Sequence, residues 1–172
     1  MTVWDAAPAS RDGSAQAAPE PSIVATSRDP RLRRFYDYWA GKRGERRFPA
    51  RCDIDPLEFP YVLGNLLLVD VLRDPQRFRV RLHGTNLVTR MNYDMTGKLL
   101  DEVPRPEYRT YVLDRCRGLV ASGEPLALVY DLVLDGWISR YEALWLPLSD
   151  DGINVTLLIC AMMYGETEPA TP

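Results

Sequence analysis

INVTLLICAMMY, residues 153–164, carries apolar side chains at odd and even positions alike. A strand with one wet face alternates apolar and polar residues, whereas this one asks for cover on both faces. Helices earlier in the chain can cover one face. A further helix, or a partner subunit, must cover the other.

Upstream of that strand, Ser149-Asp150-Asp151-Gly152 and Asp135-Gly136 read as turns, with glycine supplying positive φ. They delimit three successive strands, 125–134, 138–148 and 153–164. Before these come two helical stretches, 85–91 and 107–121, and the second keeps Tyr108, Tyr111, Val112, Arg115 and Leu119 close to one side. A hairpin precedes the helices. Residues 65–72 are apolar and β-rich, Arg73-Asp74-Pro75-Gln76 turns, and 77–83 alternates strictly. That alternation places Phe78, Val80 and Leu82 on one face, and Arg77, Arg79, Arg81 and His83 on the other. A short helical piece over 56–63, opened by Asp53 or Asp55, leads into the hairpin. Grouped strands of this kind predict an α+β fold with one five-stranded antiparallel sheet.

Further upstream, Leu32, Phe35, Tyr36 and Trp39 fall at i, i+3, i+4 and i+7. This is the apolar stripe of an amphipathic helix that starts at Ser27-Arg28-Asp29-Pro30 and ends at Gly41 and Gly44. The helix is a natural second cover for the last strand. Its stripe, with the outer sheet face, is also where a homodimer interface is expected. Residues 1–27, rich in Ala, Pro and Ser, read as a disordered tail. The expected division is then 28–52 for the helix and a linker, 53–164 for the main domain, and 165–172 for a short tail.

At 172 residues, with 46% hydrophobic and 26% charged, the chain has the means for one core. Its net charge of −3 does not suit a polyanion binder. Residues 28–51 do hold nine Arg or Lys against three acids, but the aromatics among them share one packing stripe, so nucleic acid is not expected. Cys52, Cys116 and Cys160 form no CxxC pair, and a single histidine cannot complete a zinc site with them. Reduced thiols, the lack of a signal-like start and apolar runs too short for a bilayer together predict a cytoplasmic protein.

Five stretches in this order are similar to those of one family: RDPRLRRFYDYW, FPARCDIDPLEFPYVLGNLLLVDV, RFRVRLHGTNLV, DMTGKLLDE and SRYEALWLPLSDDG. Across residues 28–164 the chain resembles the small bacterial, largely alphaproteobacterial proteins that consist of little more than one PAS domain. The resemblance implies a PAS-like five-stranded antiparallel sheet with helices between strands two and three. It further implies a sensor or regulatory module that acts through protein contact, with a signalling protein as partner and a small molecule as ligand. One departure is Asn92, standing where a glycine is expected ahead of DMTG. Asn tolerates left-handed backbone, so the turn should survive.

No GxSxG, HExxH, phosphate-loop or dinucleotide fingerprint is present, and the expectation is that the protein is not an enzyme. The alternative is a small α+β enzyme with a cone-like fold, using a buried acid opposite His83 or Tyr141. His83, on an arginine-bearing strand face, reads as a partly solvated strand corner bonded to loop backbone. It does not read as a haem ligand, and no flavin-attaching cysteine motif occurs either. Glu142, mid-strand, is either a buried acid or, as the plainer reading, a charge partner in the neighbourhood of Arg140 or an exposed strand position. Cys116, between two arginines, is either an ordinary helix cysteine or a redox-sensitive thiol. A ligand cavity between sheet and helices draws on Arg90, Tyr93, Tyr108, Tyr111, Arg115, Tyr130, Tyr141 and Trp145, an aromatic wall with few polar groups.

Overall fold

The computed structural model describes residues 27–134 and 137–169, without the side chains of residues 107, 130–134, 137–140 and 166–169. The segment read as a disordered tail and the Asp135-Gly136 turn lie outside the described residues, Ser27 excepted.

The chain opens with α1, Pro30–Arg43. The Asp29 carboxylate caps it by accepting the Arg31 N–H at 2.8 Å, and Pro30 occupies its first turn. The helix runs through Gly41 and stops at Gly44, whose φ of 57° suits glycine. In place of one helical piece over 56–63 there are two 3-10 turns, Pro56–Glu58 and Pro60–Asn65, with a third, Arg51–Asp53, ahead of them. Pro56 and Pro60 lack the N–H a continuous α-helix needs, so each restarts the backbone. Asp55 caps the middle turn at the Leu57 N–H, 3.0 Å.

The sheet follows: β1 (Leu66–Leu72), β2 (Arg77–His83), then α2 (Thr85–Met91) and α3 (Pro106–Ser122), then β3 (Leu126–Leu134), β4 (Trp137–Leu148) and β5 (Leu157–Pro169). Its order is β2-β1-β5-β4-β3, antiparallel throughout. The five-stranded α+β sheet expected from the sequence is therefore present, with helices between strands two and three. Two boundaries differ. Residues 153–156 belong to the preceding turn, because the Asp151 carboxylate accepts the N–H groups of Ile153 and Asn154 at 2.9 and 2.7 Å. At its far end β5 continues to Pro169 along β4, through residues read as a tail.

β5 lies between β1 and β4, and both of its faces are covered from within the chain. Leu158, Cys160 and Met162 pack on the inner side with Leu87, Val112, Cys116 and Leu119 of α2 and α3. Leu157, Ile159, Ala161 and Met163 pack on the outer side with Leu32, Phe35 and Trp39 of α1, and with Phe59 and Val62. Burying a large apolar side chain stabilises by about 1.5–3 kcal/mol, so this packing holds α1 firmly. The Trp39 Nε1–H donates to the Pro147 carbonyl at 2.9 Å and fixes the helix over β4.

This overturns the reading of the stripe as an intersubunit surface. Leu32, Phe35 and Trp39 are only 1–2% exposed within one chain, and Tyr36 is half-buried beside them. The apolar outer face supplies a partner within the chain, so Leu32, Phe35 and Trp39 have no free surface to offer a second copy.

The second correction concerns β2. Leu68 pairs with Leu82, but Val69 pairs with Val80, so Arg81 is an extra residue in a β-bulge. Beyond it the pleat is inverted. Leu82 points outward at 43% exposure and His83 turns into the core at 8%.

Candidate functional site

The inner sheet face meets α2 and α3 where the 92–105 connection crosses the strands. Asn92 ends α2 in left-handed backbone (φ 60°, ψ 27°) with its N–H on the Val88 carbonyl, as expected of asparagine there. The Asp94 carboxylate then accepts the Thr96 N–H at 2.8 Å, and Gly97 turns at φ 81°. Gly97 N–H and Lys98 C=O pair with Val80, tying the connection to the edge strand β2. These local bonds hold Tyr93 against the inner core cluster.

Met91, Tyr93, Arg105 and Tyr108 line a small pocket there, of about 10 Å³, which is room for one water. Tyr141 and Tyr164 pack against the same cluster, with ring centroids 5.0 Å apart. The Arg90 guanidinium lies 3.8 Å over the Tyr164 ring, and Tyr108 and Tyr111 stack at 6.3 Å. Burial pushes the hydroxyls of Tyr108 and Tyr141 well above the ordinary phenol range, and that of Tyr164 up to about 12 despite the opposing Arg90 charge. These groups therefore stay protonated as O–H donors. Among the described residues the buried Tyr164 hydroxyl has no hydrogen-bond partner.

The structure brings Arg90, Tyr93, Tyr108, Tyr111 and Tyr141 into one neighbourhood. Trp145 stands further along β4, 3% exposed and enclosed in core. Arg115 is exposed and lies 5.2 Å over Tyr111, on the outer side of α3. Tyr130 pairs with Tyr141 across β3 and β4, and its side chain lies outside the described residues. Sequence reading missed Tyr164 and Arg105. Tyr164 was legible, since it extends the period-two series Leu158, Cys160, Met162 onto the inner face. Arg105, the residue before the first turn of α3, carried no periodic signal.

His83 adjoins this site, its ring centroid 6.4 Å from that of Tyr93. It is buried rather than partly solvated. Its Nδ1 accepts the Met95 N–H at 3.3 Å and stands 3.8 Å from an Asp94 oxygen. An Nδ1 that accepts an amide hydrogen is unprotonated, and burial lowers the imidazole pKa against the opposing pull of Asp94. Glu142 is also buried, not exposed. It faces α1, on the opposite side of the sheet from Tyr141, and its Oε2 accepts Ser27 Oγ–H and the N–H groups of Arg28 and Asp29 at 2.7, 2.9 and 3.1 Å. Cys116 is fully buried, and desolvation pushes its thiol up to about 12, the reverse of a reactive thiol.

The basic segment 28–51 is engaged within the chain. Arg31, Lys42 and Arg46 pair with Asp29, Glu58 and Asp53, while Arg34 and Arg43 lie over the rings of Tyr61 and Trp39. Among the described residues no group of three or more His, Cys, Asp or Glu side chains could hold a metal ion, and no helix is long and apolar enough to cross a membrane.

Residues 27–153 match the PAS_5 family, described as a PAS domain, and the chain belongs to that family. No curated protein matched it. Solved structures similar to it include the PAS domain of BvgS from Bordetella pertussis, at 18% identity and TM-score 0.47, covering 66% of this chain and 88% of that one. A sensory box sensor histidine kinase from Vibrio cholerae is similar at 14% identity and TM-score 0.43, covering 64% and 91%. A Rhodobacter sphaeroides LOV protein is similar at 14% identity and TM-score 0.41, covering 64% and 68%. At such scores these likenesses carry no functional argument.

Proposed function

We propose that this chain is a non-catalytic, cytoplasmic PAS-type sensory module that takes a small organic ligand between its sheet and helices. It passes the signal on by contact with a signalling protein, and it acts as a homodimer whose contact uses residues other than the buried stripe of α1. The observation that carries the reading is a small pocket on the inner side of the sheet lined by Met91, Tyr93, Arg105 and Tyr108, with Tyr141 and Tyr164 in the same core cluster, Tyr111 stacked on Tyr108 and Arg90 over the Tyr164 ring. Aromatic walls with a few placed polar groups suit small organic molecules. Membership of a PAS-domain family supports the sensory role.

The alternative of a cone-like enzyme needs a buried acid facing His83 or Tyr141. The carboxylate beside His83 is that of Asp94, which is exposed, and Glu142 points to the other side of the sheet with an oxygen engaged by three donors. Neither provides the enclosed acid–base pair that general catalysis uses.

Native mass spectrometry of the purified chain, with an absorbance spectrum of the same sample, tests the ligand. Added mass that leaves on denaturation supports the reading. A colourless protein that carries no added mass, alone or after incubation with a panel of small organic molecules, overturns it. Sedimentation velocity at micromolar concentration tests the dimer, and a single monomer boundary defeats that part.

A further inference from the structure

We infer that two copies of this chain pair through the free edge of β3, strand against strand and antiparallel, so that two five-stranded sheets become one. The inference rests on the homodimer reading above. Among the described residues β3 (Leu126–Leu134) pairs with β4 alone, and it ends the sheet order β2-β1-β5-β4-β3. A strand of nine residues presents about 30 Å of backbone N–H and C=O groups along such an edge. Its sequence, LALVYDLVL, holds one charged residue, Asp131, and no Lys, Arg or Pro. It follows β4 residue for residue, from Leu126 opposite Trp145 to Leu134 opposite Trp137, with no bulge.

The opposite edge of the sheet is blunted. β2 carries Arg77, Arg79 and Arg81 and is broken by the bulge at Arg81. The 92–105 connection also lies along it: the Val80 N–H donates to the Lys98 carbonyl at 2.9 Å, the Gly97 N–H donates to the Val80 carbonyl at 2.8 Å, and Arg79 bridges Leu99. Charge, a bulge and cover are the devices that keep an edge from adding a strand. Among the described residues β3 has neither bulge nor cover, and a single charge.

The faces of β3 set the occupant. Leu126 and Leu128 are half-buried against the inner core cluster, Ala127 is half-buried against the outer one, and Val129 is half-buried too. A strand that completes this edge must be apolar at odd and even positions alike, and β3 is itself such a strand. A two-fold axis perpendicular to the sheet sets the copies antiparallel and keeps inner face with inner face, so each apolar row continues into its own counterpart. Centred on Val129, this pairing puts Asp131 opposite Ala127 and keeps the two aspartates apart. A parallel copy in register would set them side by side.

Sedimentation velocity of the full chain over a range of concentrations, with Leu128→Pro and Val129→Pro, tests the contact. Successive N–H groups of a strand point to opposite edges, so one proline removes a donor to β4 and lowers the melting temperature, while the other removes only an outward donor. The variant that melts with the parent at dilution is expected to dimerise at least about tenfold more weakly, since each copy loses a backbone hydrogen bond across the axis. Where neither variant folds, hydrogen exchange of the parent decides. The outward amides of 126–134 should be protected at concentrations that favour the dimer and exchange fast on dilution, while those of 77–83 stay unchanged.

A dimer of parental strength in the well-folded proline variant overturns β3 as the contact and leaves the homodimer in place. So does protection of the outward β3 amides that persists in the dissociated chain, the result if another segment of the same chain occupies the edge. A monomer at every concentration overturns the inference and the homodimer reading together.

Discussion

Glu142 is the point at which the start of α1 is fastened to the sheet, and its replacement gives a sharp test. A single carboxylate oxygen accepts three hydrogen bonds, from Ser27 Oγ and from the N–H groups of Arg28 and Asp29, at 2.7–3.1 Å, on a side chain only 5% exposed. A hydrogen bond to a charged group contributes about 1.5–3 kcal/mol, against about 0.5–1.5 kcal/mol for a neutral one. Glu142→Gln keeps the volume and an acceptor oxygen but removes the charge, so three bonds weaken by about 1 kcal/mol each and the total loss is about 2–3 kcal/mol. Glu142→Ala removes the acceptor altogether, and its loss should be larger, about 3–4 kcal/mol, because some of the freed donors can reach water. Urea unfolding followed by tryptophan fluorescence reads both, since Trp39 on α1 and Trp145 on β4 report opposite faces of the sheet. An unchanged slope with a lowered midpoint is expected. If both variants stay within about 0.5 kcal/mol of the parent, the size of an ordinary surface substitution, Glu142 does not anchor α1 and the reasoning fails.

Three further outcomes are expected. Burial holds the His83 imidazole below its ordinary value of 6.5, so on acidification the unfolded chain takes up the proton first. Its stability is then complete above 6.5 and falls as pH drops through the folded value. The loss should be flattened in His83→Gln when urea midpoints are compared from pH 6.5 downward. Gly84→Ala should destabilise by about 1–3 kcal/mol, because its Cβ would stand 2.5 Å from the Gly64 carbonyl oxygen and 2.9 Å from the Leu66 nitrogen. Gly41→Ala, inside α1 with open space around it, should stabilise by about 0.5–1 kcal/mol, and thermal melts of the pair would refute the packing argument if their signs were reversed. With a thiol-reactive disulfide reagent, exposed Cys52 should react at once, and buried Cys116 and Cys160 only in denaturant. A second fast thiol in the native protein would contradict the enclosed core.

What could be read from the chain follows the range of the physics. Turn residues, the stripe of α1 and the strands' apolar runs are set by neighbours within a few positions, so β2 lies over 77–83 and α2 over 85–91 as expected. Asn92 likewise carries its own reason for the turn it makes. The doubly apolar character of 153–164 foretold a strand with two covered faces. Of the neighbourhood on the inner face, Arg90, Tyr93, Tyr108, Tyr111 and Tyr141 were legible as aromatic and basic residues of the two helices, the connection between them and β4.

The side chains that were misplaced owe their positions to contacts distant in sequence. His83 faces the core because β1 pairs on its other edge with β5 while a bulge at Arg81 absorbs one residue of β2, and strict alternation within 77–83 conceals that shift. Glu142 is buried because the start of α1, more than a hundred residues away, crosses its strand. The stripe of Leu32, Phe35 and Trp39 was written in the sequence as a helix face needing an apolar partner. Periodicity states that need without naming who meets it. The sheet order, which puts β5 at the centre and leaves its outer face to α1, assigned that face to the protein's own chain.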